Sequence, residues 1–184
     1  MDLHEALSTR RTIQRFASGP IPDGALERAL EASLLAPNHK LTYPWRFSIP
    51  GPVTRQALFR VGLRLRIAKK GTGPEVAAHV RSTMLDPAHL VVVSQVIDPD
   101  PVRAQEDYAS CATAAFTLML SLHADGVGTM WGTGRIVREP ETFDILGLDP
   151  ARDRIVAFVW IGRPAIVPQT PPRPPRADVT RILP

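Results

Sequence analysis

Cysteine is almost missing from this chain. Its one copy, Cys111, excludes an internal disulfide and a multi-cysteine metal centre, and a reducing cytoplasm is the simplest compartment for it. Long apolar runs are missing too. No segment approaches the length of a membrane span, and the opening MDLHEALSTR has no apolar h-region, so neither export nor membrane insertion is expected. Charge of one sign is scarce: 22 Lys and Arg against 18 Asp and Glu leave a formal +4. That balance suits a small anionic ligand better than a nucleic-acid track, and no stripe of interleaved aromatic and basic residues runs along the chain. HExxH, a P-loop, G-x-S-x-G, GxGxxG and clustered Cys and His are all absent, so any reaction is expected to be carried by a cofactor.

What remains is an ordinary folding composition. With 184 residues, 44% hydrophobic, the chain suits one domain over 1–184. Asp2 with Glu5 three residues on caps a first helix, with Leu3, Ala6 and Leu7 on one side. A second helix is expected from about Asp23, with Leu26, Leu30 and Leu34 as its buried stripe and Pro37 closing it. Further helices are expected over 52–70, 105–126 and 139–147, and strands over 45–49, 89–97 and 153–162. VGTMWGTG reads as a short strand entering a glycine turn. The periodicity fades between Lys69 and Met84, which reads as a mobile or variable insertion. The proline-rich 163–184 reads as an extended arm, since proline lacks the donor that a central strand needs. Strands alternate with helices, but no Gly-rich loop follows the first strand, so the expected class is α+β with a mixed sheet and not a Rossmann fold.

Three clusters carry chemistry. Arg10, Arg11 and Thr12 combine planar guanidinium forks with a hydroxyl and could cradle a phosphate; side by side on a surface they could equally be solvated. APNHKLTYPWRF, residues 36–47, offers His39 and Lys40 in a loop before Trp45 and Phe47, which alternate toward the core. Gly132 and Gly134 bracket Thr133 after Trp131, a turn that can bring backbone N–H groups against a flat ligand or simply reverse the chain. Cys111 lies in an apolar helical stretch and reads as packing.

RRTIQRF (10–16), APNHKLTYPWRF (36–47), MWGTG (130–134) and IVAFVWIGRP (155–164) stand in an order and spacing that resemble the FMN-dependent nitroreductase family, especially its compact NAD(P)H nitroreductases. The resemblance implies a nitroreductase-like mixed β-sheet flanked by helices and an intertwined homodimer with FMN at the subunit interface. It implies that Arg10, Arg11 and Thr12 hold the ribityl phosphate and flavin edge, and that Leu35 and His39 reach FMN from the opposite subunit. Trp131, Gly132, Thr133 and Gly134 would form the flavin-contacting turn. Ser121, Leu122, His123, Ala124, Asp125 and Gly126 resemble a segment assigned to the nicotinamide nucleotide. Arg163 could add charge for the phosphate, and 66–84 lies where a substrate-covering element could stand. The implied activity is reduction of nitroaromatics, quinones or similar small acceptors at the expense of NAD(P)H, with no residue cast as acid or nucleophile; a non-enzymatic FMN-binding or regulatory protein is the alternative.

Overall fold

A computed structural model describes all residues from 1 to 184. Its centre is an antiparallel sheet whose long strands are those with continuous branched or aromatic residues. β3 (His89–Val96) lies between β2 (Trp45–Ser48) and β5 (Asp153–Pro164), and β4 (Gly128–Gly132) pairs with β5 on the other side. The two-residue β1 (Phe16–Ala17) pairs with Arg163 and Pro164 at the end of β5. Every one of these pairings is antiparallel, so the fold is α+β as expected, while the parallel part expected of a mixed sheet shrinks to one isolated bridge between Thr12 and Thr129.

Helices cover both faces, so β3 is buried on both sides and reads as an unbroken apolar run. On one face α2 (Ala25–Ser33) and the long α5 (Pro101–Ala124) pack Ala29, Cys111, Ala115 and Leu118 against Val91, Val93 and Val159. On the other, α3 (Pro52–Lys70), α4 (Pro74–Met84) and α6 (Pro140–Leu146) pack Leu58, Val80 and Phe143 against Leu90, Val92 and Phe158. The register slips at Val93/Ser94, where Val156 is the extra residue on β5. Val156 and its neighbour Ala157 both join the α2/α5 core, as a β-bulge requires.

Several expectations need correction. In α1 (Leu3–Thr9), Asp2 accepts from the Glu5 N–H as predicted, but only Ala6 is buried, and Leu3 and Leu7 face outward. α2 buries Ala25, Leu26, Ala29 and Ser33; Leu34 lies beyond its end and is exposed, so the four-residue spacing of leucines marked the wrong stripe. α5 starts four residues earlier than expected because Pro101 occupies the first turn, where its missing N–H costs nothing, and Asp100 caps it. The 71–84 stretch is no insertion: α4 buries Val76, Val80 and Met84 at helical spacing. Gly62 of α3 permits that packing, since a Cβ there would stand 2.4 Å from the Met84 sulfur. The last strand runs through Arg163 and Pro164, so the arm begins later than 163, and it carries one helical turn, α7 (Arg176–Val179).

Candidate functional site

α1 ends at Arg10, and the next residues are drawn to the outer edge of the sheet. Ile13 N–H donates to the Thr129 carbonyl at 2.9 Å, forming a parallel bridge between Thr12 and Thr129 on β4. Thr9 Oγ1 lies 2.9 Å from His123 Nε2, which ties the end of α1 to the end of α5. Arg10 is half-buried, with its guanidinium carbon 6.0 Å from the centre of the Phe116 ring. Its Nη1 is buried and has no hydrogen-bond partner. Arg11 donates to the Arg10 carbonyl at 2.6 Å and to the Thr170 hydroxyl of the C-terminal arm.

Positive charge outweighs negative at this corner, where neither Arg10 nor Arg11 enters an ion pair. Burial pulls the Arg10 pKa below the ordinary arginine value, and Arg11 and Arg173 pull it further. Burial likewise lowers His123, followed by Arg10 and Arg11, with Glu5 opposing weakly. A buried guanidinium nitrogen left without an acceptor is costly, and a bound anion removes that cost. Arg163 stands apart, its guanidinium over Gly19.

β4 supplies the second half of the site. Because the Thr129 carbonyl faces away from β5, alternation along an antiparallel strand turns the backbone groups of Trp131 outward as well. Neither Trp131 nor Thr133 makes a backbone hydrogen bond outside the sheet. Four residues of strand put Thr133 roughly 13 Å from Thr129, so a free edge of donors and acceptors leads away from the arginine corner. Trp131 packs on the α2/α5 core and fixes the turn, whereas Thr133 and Gly134 are exposed. A cavity opens on each side of the turn. One of about 490 Å³ includes Thr133, Tyr108 and Arg138 in its lining; the other, of about 370 Å³, includes Gly132, Gly134 and Trp160.

Leu35 and His39 lie elsewhere. Leu35 is 83% exposed, and His39 Nδ1 pairs with Glu106 at 2.9 Å, near the start of α5. Glu106 and His123 stand almost five helical turns apart, roughly 26 Å at the helical rise. One chain therefore unites Arg10, Arg11, Thr12 and β4 with the end of α5, and leaves Leu35 and His39 at the other end of that helix. The loop that runs from His39 to β2 is strained: Lys40, Leu41 and Tyr43 all have positive φ, at 65°, 52° and 46°. Asn38 holds it, accepting from the Tyr43 N–H at 2.7 Å, while Thr42 donates to buried Asp107 at 2.5 Å and Asn38 donates to Asp107 and Ser110.

Within Ser121–Gly126 the structure separates roles. Leu122 is fully buried in the core, Asp125 pairs with Arg28 at 2.7 Å, and His123 borders the arginine corner. Sequence reading missed Phe116, Thr170 and Arg173, which lie far along the chain from Arg10. It also missed Asp107, whose QEDY setting looks like a solvated helix face.

A mostly antiparallel sheet between two helical layers, with a cationic corner leading to a free strand edge, is the frame of a ligand-binding α+β protein. The model of the Nitroreductase family matches residues 7–163, and the chain belongs to that family. Its relatives include YfhC of Bacillus subtilis (strain 168), which bears the name of an NAD(P)H nitroreductase and is 27% identical over 179 residues, 96% of this chain and 91% of the relative. YdjA of Escherichia coli (strain K12), similarly named, is 27% identical over 171 residues, 92% of each. Among solved structures, a nitroreductase-like family protein from Bacillus cereus superposes with a TM-score of 0.85 at 24% identity, covering 100% of this chain and 96% of that one. The FMN and NADPH-dependent nitroreductase NfnB superposes with a TM-score of 0.81 at 15% identity, covering 100% and 99%. These two likenesses establish the nitroreductase-like fold. No helix is long and apolar enough to cross a membrane.

Proposed function

We propose that the chain is a single-domain FMN-dependent oxidoreductase over 1–184 that draws on NAD(P)H to reduce nitroaromatics, quinones or similar small acceptors in the cytoplasm. The observation that carries the reading is the buried, partnerless Nη1 of Arg10, pressed by Arg11 and Arg173 at the head of a free strand edge. A phosphate there gains charge-assisted hydrogen bonds from guanidinium forks. The outward backbone of Trp131 and Thr133 meets the edge of a flat ring, and Gly132 and Gly134 put no side chain in its way. Bound FMN supplies the two-electron chemistry. The chain's own part is to bind, orient and keep water from the sheet face of the ring. Within 121–126, His123 borders the arginine corner, which supports a role for this segment toward a nicotinamide nucleotide.

The working unit in this reading is a homodimer. Ala109, Ala112, Thr113 and Phe116 form a face of α5 that the chain leaves uncovered or half-covered, and Leu34, Leu35, Leu41 and Tyr43 expose apolar surface nearby. A two-fold axis near the middle of α5 brings the His39 end of one protomer to the Arg10 end of its partner, closing the roughly 26 Å gap. The C-terminal arm then extends along the partner.

Purified protein should be yellow, and anaerobic NAD(P)H should bleach it. A colourless protein that FMN cannot reconstitute refutes the cofactor, while a yellow protein that NAD(P)H leaves unbleached is a flavin-binding protein and not this enzyme. Mixing inactive Arg10→Ala and His39→Ala protomers should restore about a quarter of the wild-type sites, because half the dimers are mixed and each carries one intact site. No recovery on mixing refutes the shared site.

A further inference from the structure

The cavity between α3, α4 and β4 has an uneven character that flavin binding alone does not account for. Met130, Phe158 and Trp160 give it an apolar and aromatic wall. Three cations line it: Arg66 and Lys69 come from the last turns of α3, and Arg135 from the turn after β4; His79 of α4 adds an imidazole. No acidic residue lines it. Arg135 is already paired with Glu139 at 2.8 Å, whereas Arg66 and Lys69 enter no ion pair. Two unpaired cations beside an aromatic wall, in an open cleft of about 370 Å³ whose lining holds no carboxylate to neutralise them, match a flat ring bearing one negative group.

We infer that this cavity is the acceptor pocket and that it selects planar aromatic anions, such as nitrobenzoates or naphthoquinone sulfonates, over neutral analogues. The inference rests on the flavin reading above, because Gly132 and Gly134 join the cavity to the proposed flavin turn. With a quinone, NAD(P)H and one proton give NAD(P)⁺ and the hydroquinone; with a nitrobenzoate, they give NAD(P)⁺, the nitroso acid and water.

The test uses 4-nitrobenzoate and its neutral isostere 4-nitrobenzamide with the FMN-loaded protein. Titration calorimetry and the ratio of kcat/KM for the two compounds should favour the acid by about tenfold, the scale of one charged hydrogen bond. Arg66→Gln with Lys69→Gln should bring both ratios near one; if the double variant fails to fold, Lys69→Gln alone should lower them. Equal binding of acid and amide overturns the inference. So does competition between 4-nitrobenzoate and FMN for the ligand-free protein, which hands the cavity to the flavin, or a change in NADPH over NADH preference as the variants' main effect. If the protein never retains FMN, the flavin reading fails, and the same acid-to-amide binding ratio on the protein alone still decides the cavity.

Discussion

Replacing Arg10 with methionine should weaken FMN binding strongly while leaving the ligand-free protein as stable as before, or more so. The two halves of this expectation come from one atom. Without a ligand, the buried Nη1 has no acceptor, and two further guanidiniums press on it. An unsatisfied buried donor costs about 1–3 kcal/mol. The Phe116 ring returns about 0.5–1 kcal/mol of this through its face. Methionine keeps the apolar stem against Phe116 and removes the charge, so the ligand-free protein should gain between zero and about 2.5 kcal/mol. With phosphate bound, the lost charged hydrogen bond is worth about 1.5–3 kcal/mol, a weakening of the FMN dissociation constant by roughly 10- to 150-fold. Quenching of flavin fluorescence measures the affinity, and calorimetric melting of ligand-free protein measures the stability. A variant that melts well below wild type yet binds FMN equally would show that Arg10 is structural, and would remove the main support for the phosphate site.

Three further outcomes follow from the same contacts. Arg55→Ala should cost about 2–4 kcal/mol in urea unfolding, because this guanidinium donates to the carbonyls of Met84, Leu85, Pro87 and Ala88 and so closes the end of α4; lysine, lacking the planar fork, should recover only part. Asp107→Ala should cost about 1–3 kcal/mol by unfastening Asn38 and Thr42, and should release the positive φ values of Lys40 and Tyr43, seen as changed NMR shifts confined to 38–43. The His123 pKa lies below its ordinary value of 6.5, so the unfolded chain binds more protons than the folded one just below that pH, and ligand-free stability should fall as pH drops from 7 through 6.5 toward the folded value. FMN should reverse part of that fall, since a phosphate beside His123 favours its charged form; unfolding curves at pH 7 and 5.5, with and without FMN, check both signs.

The layers of this fold were legible because branched and aromatic runs are direct signals of buried strands. Leu90–Val93 and Ile155–Ile161 needed no partner to be recognised. α4 escaped because only three of its eleven residues are buried, and its remaining face is polar enough to blur the period. Leu34 misled because a regular spacing of leucines carries no information about where a helix ends; the turn at Leu34–Leu35 ended it. At the candidate site, local residue types pointed to Arg10, Arg11 and the Trp131–Gly134 turn. The partners that give those residues meaning came from elsewhere in the chain. Phe116 beneath Arg10, Arg173 beside it and Asp107 beneath the 38–43 loop are contacts across more than sixty residues, which spacing along a sequence does not encode.

The unfinished outer edge of β4 links the fold to its chemistry. An exposed edge strand presents unpaired N–H and C=O groups and invites association with other strands. In this chain the residues after Arg11 cover only its first part, through the Ile13–Thr129 bond, and the edge from Trp131 onward stays open. No charged side chain or proline of β4 itself blocks it, for the strand reads GTMWG. Two glycines and a core-anchored tryptophan instead keep this backbone accessible and fixed in place. Adding charge there would protect against aggregation, but it would also fill the space beside the arginine corner. The proposed flat ligand with an anionic tail would resolve both demands: its tail would neutralise Arg10 and Arg11, and its ring would cap the open edge. The same geometry predicts that ligand-free protein is more prone to associate than protein holding its ligand, because the bonds a ring would take are then offered to another chain.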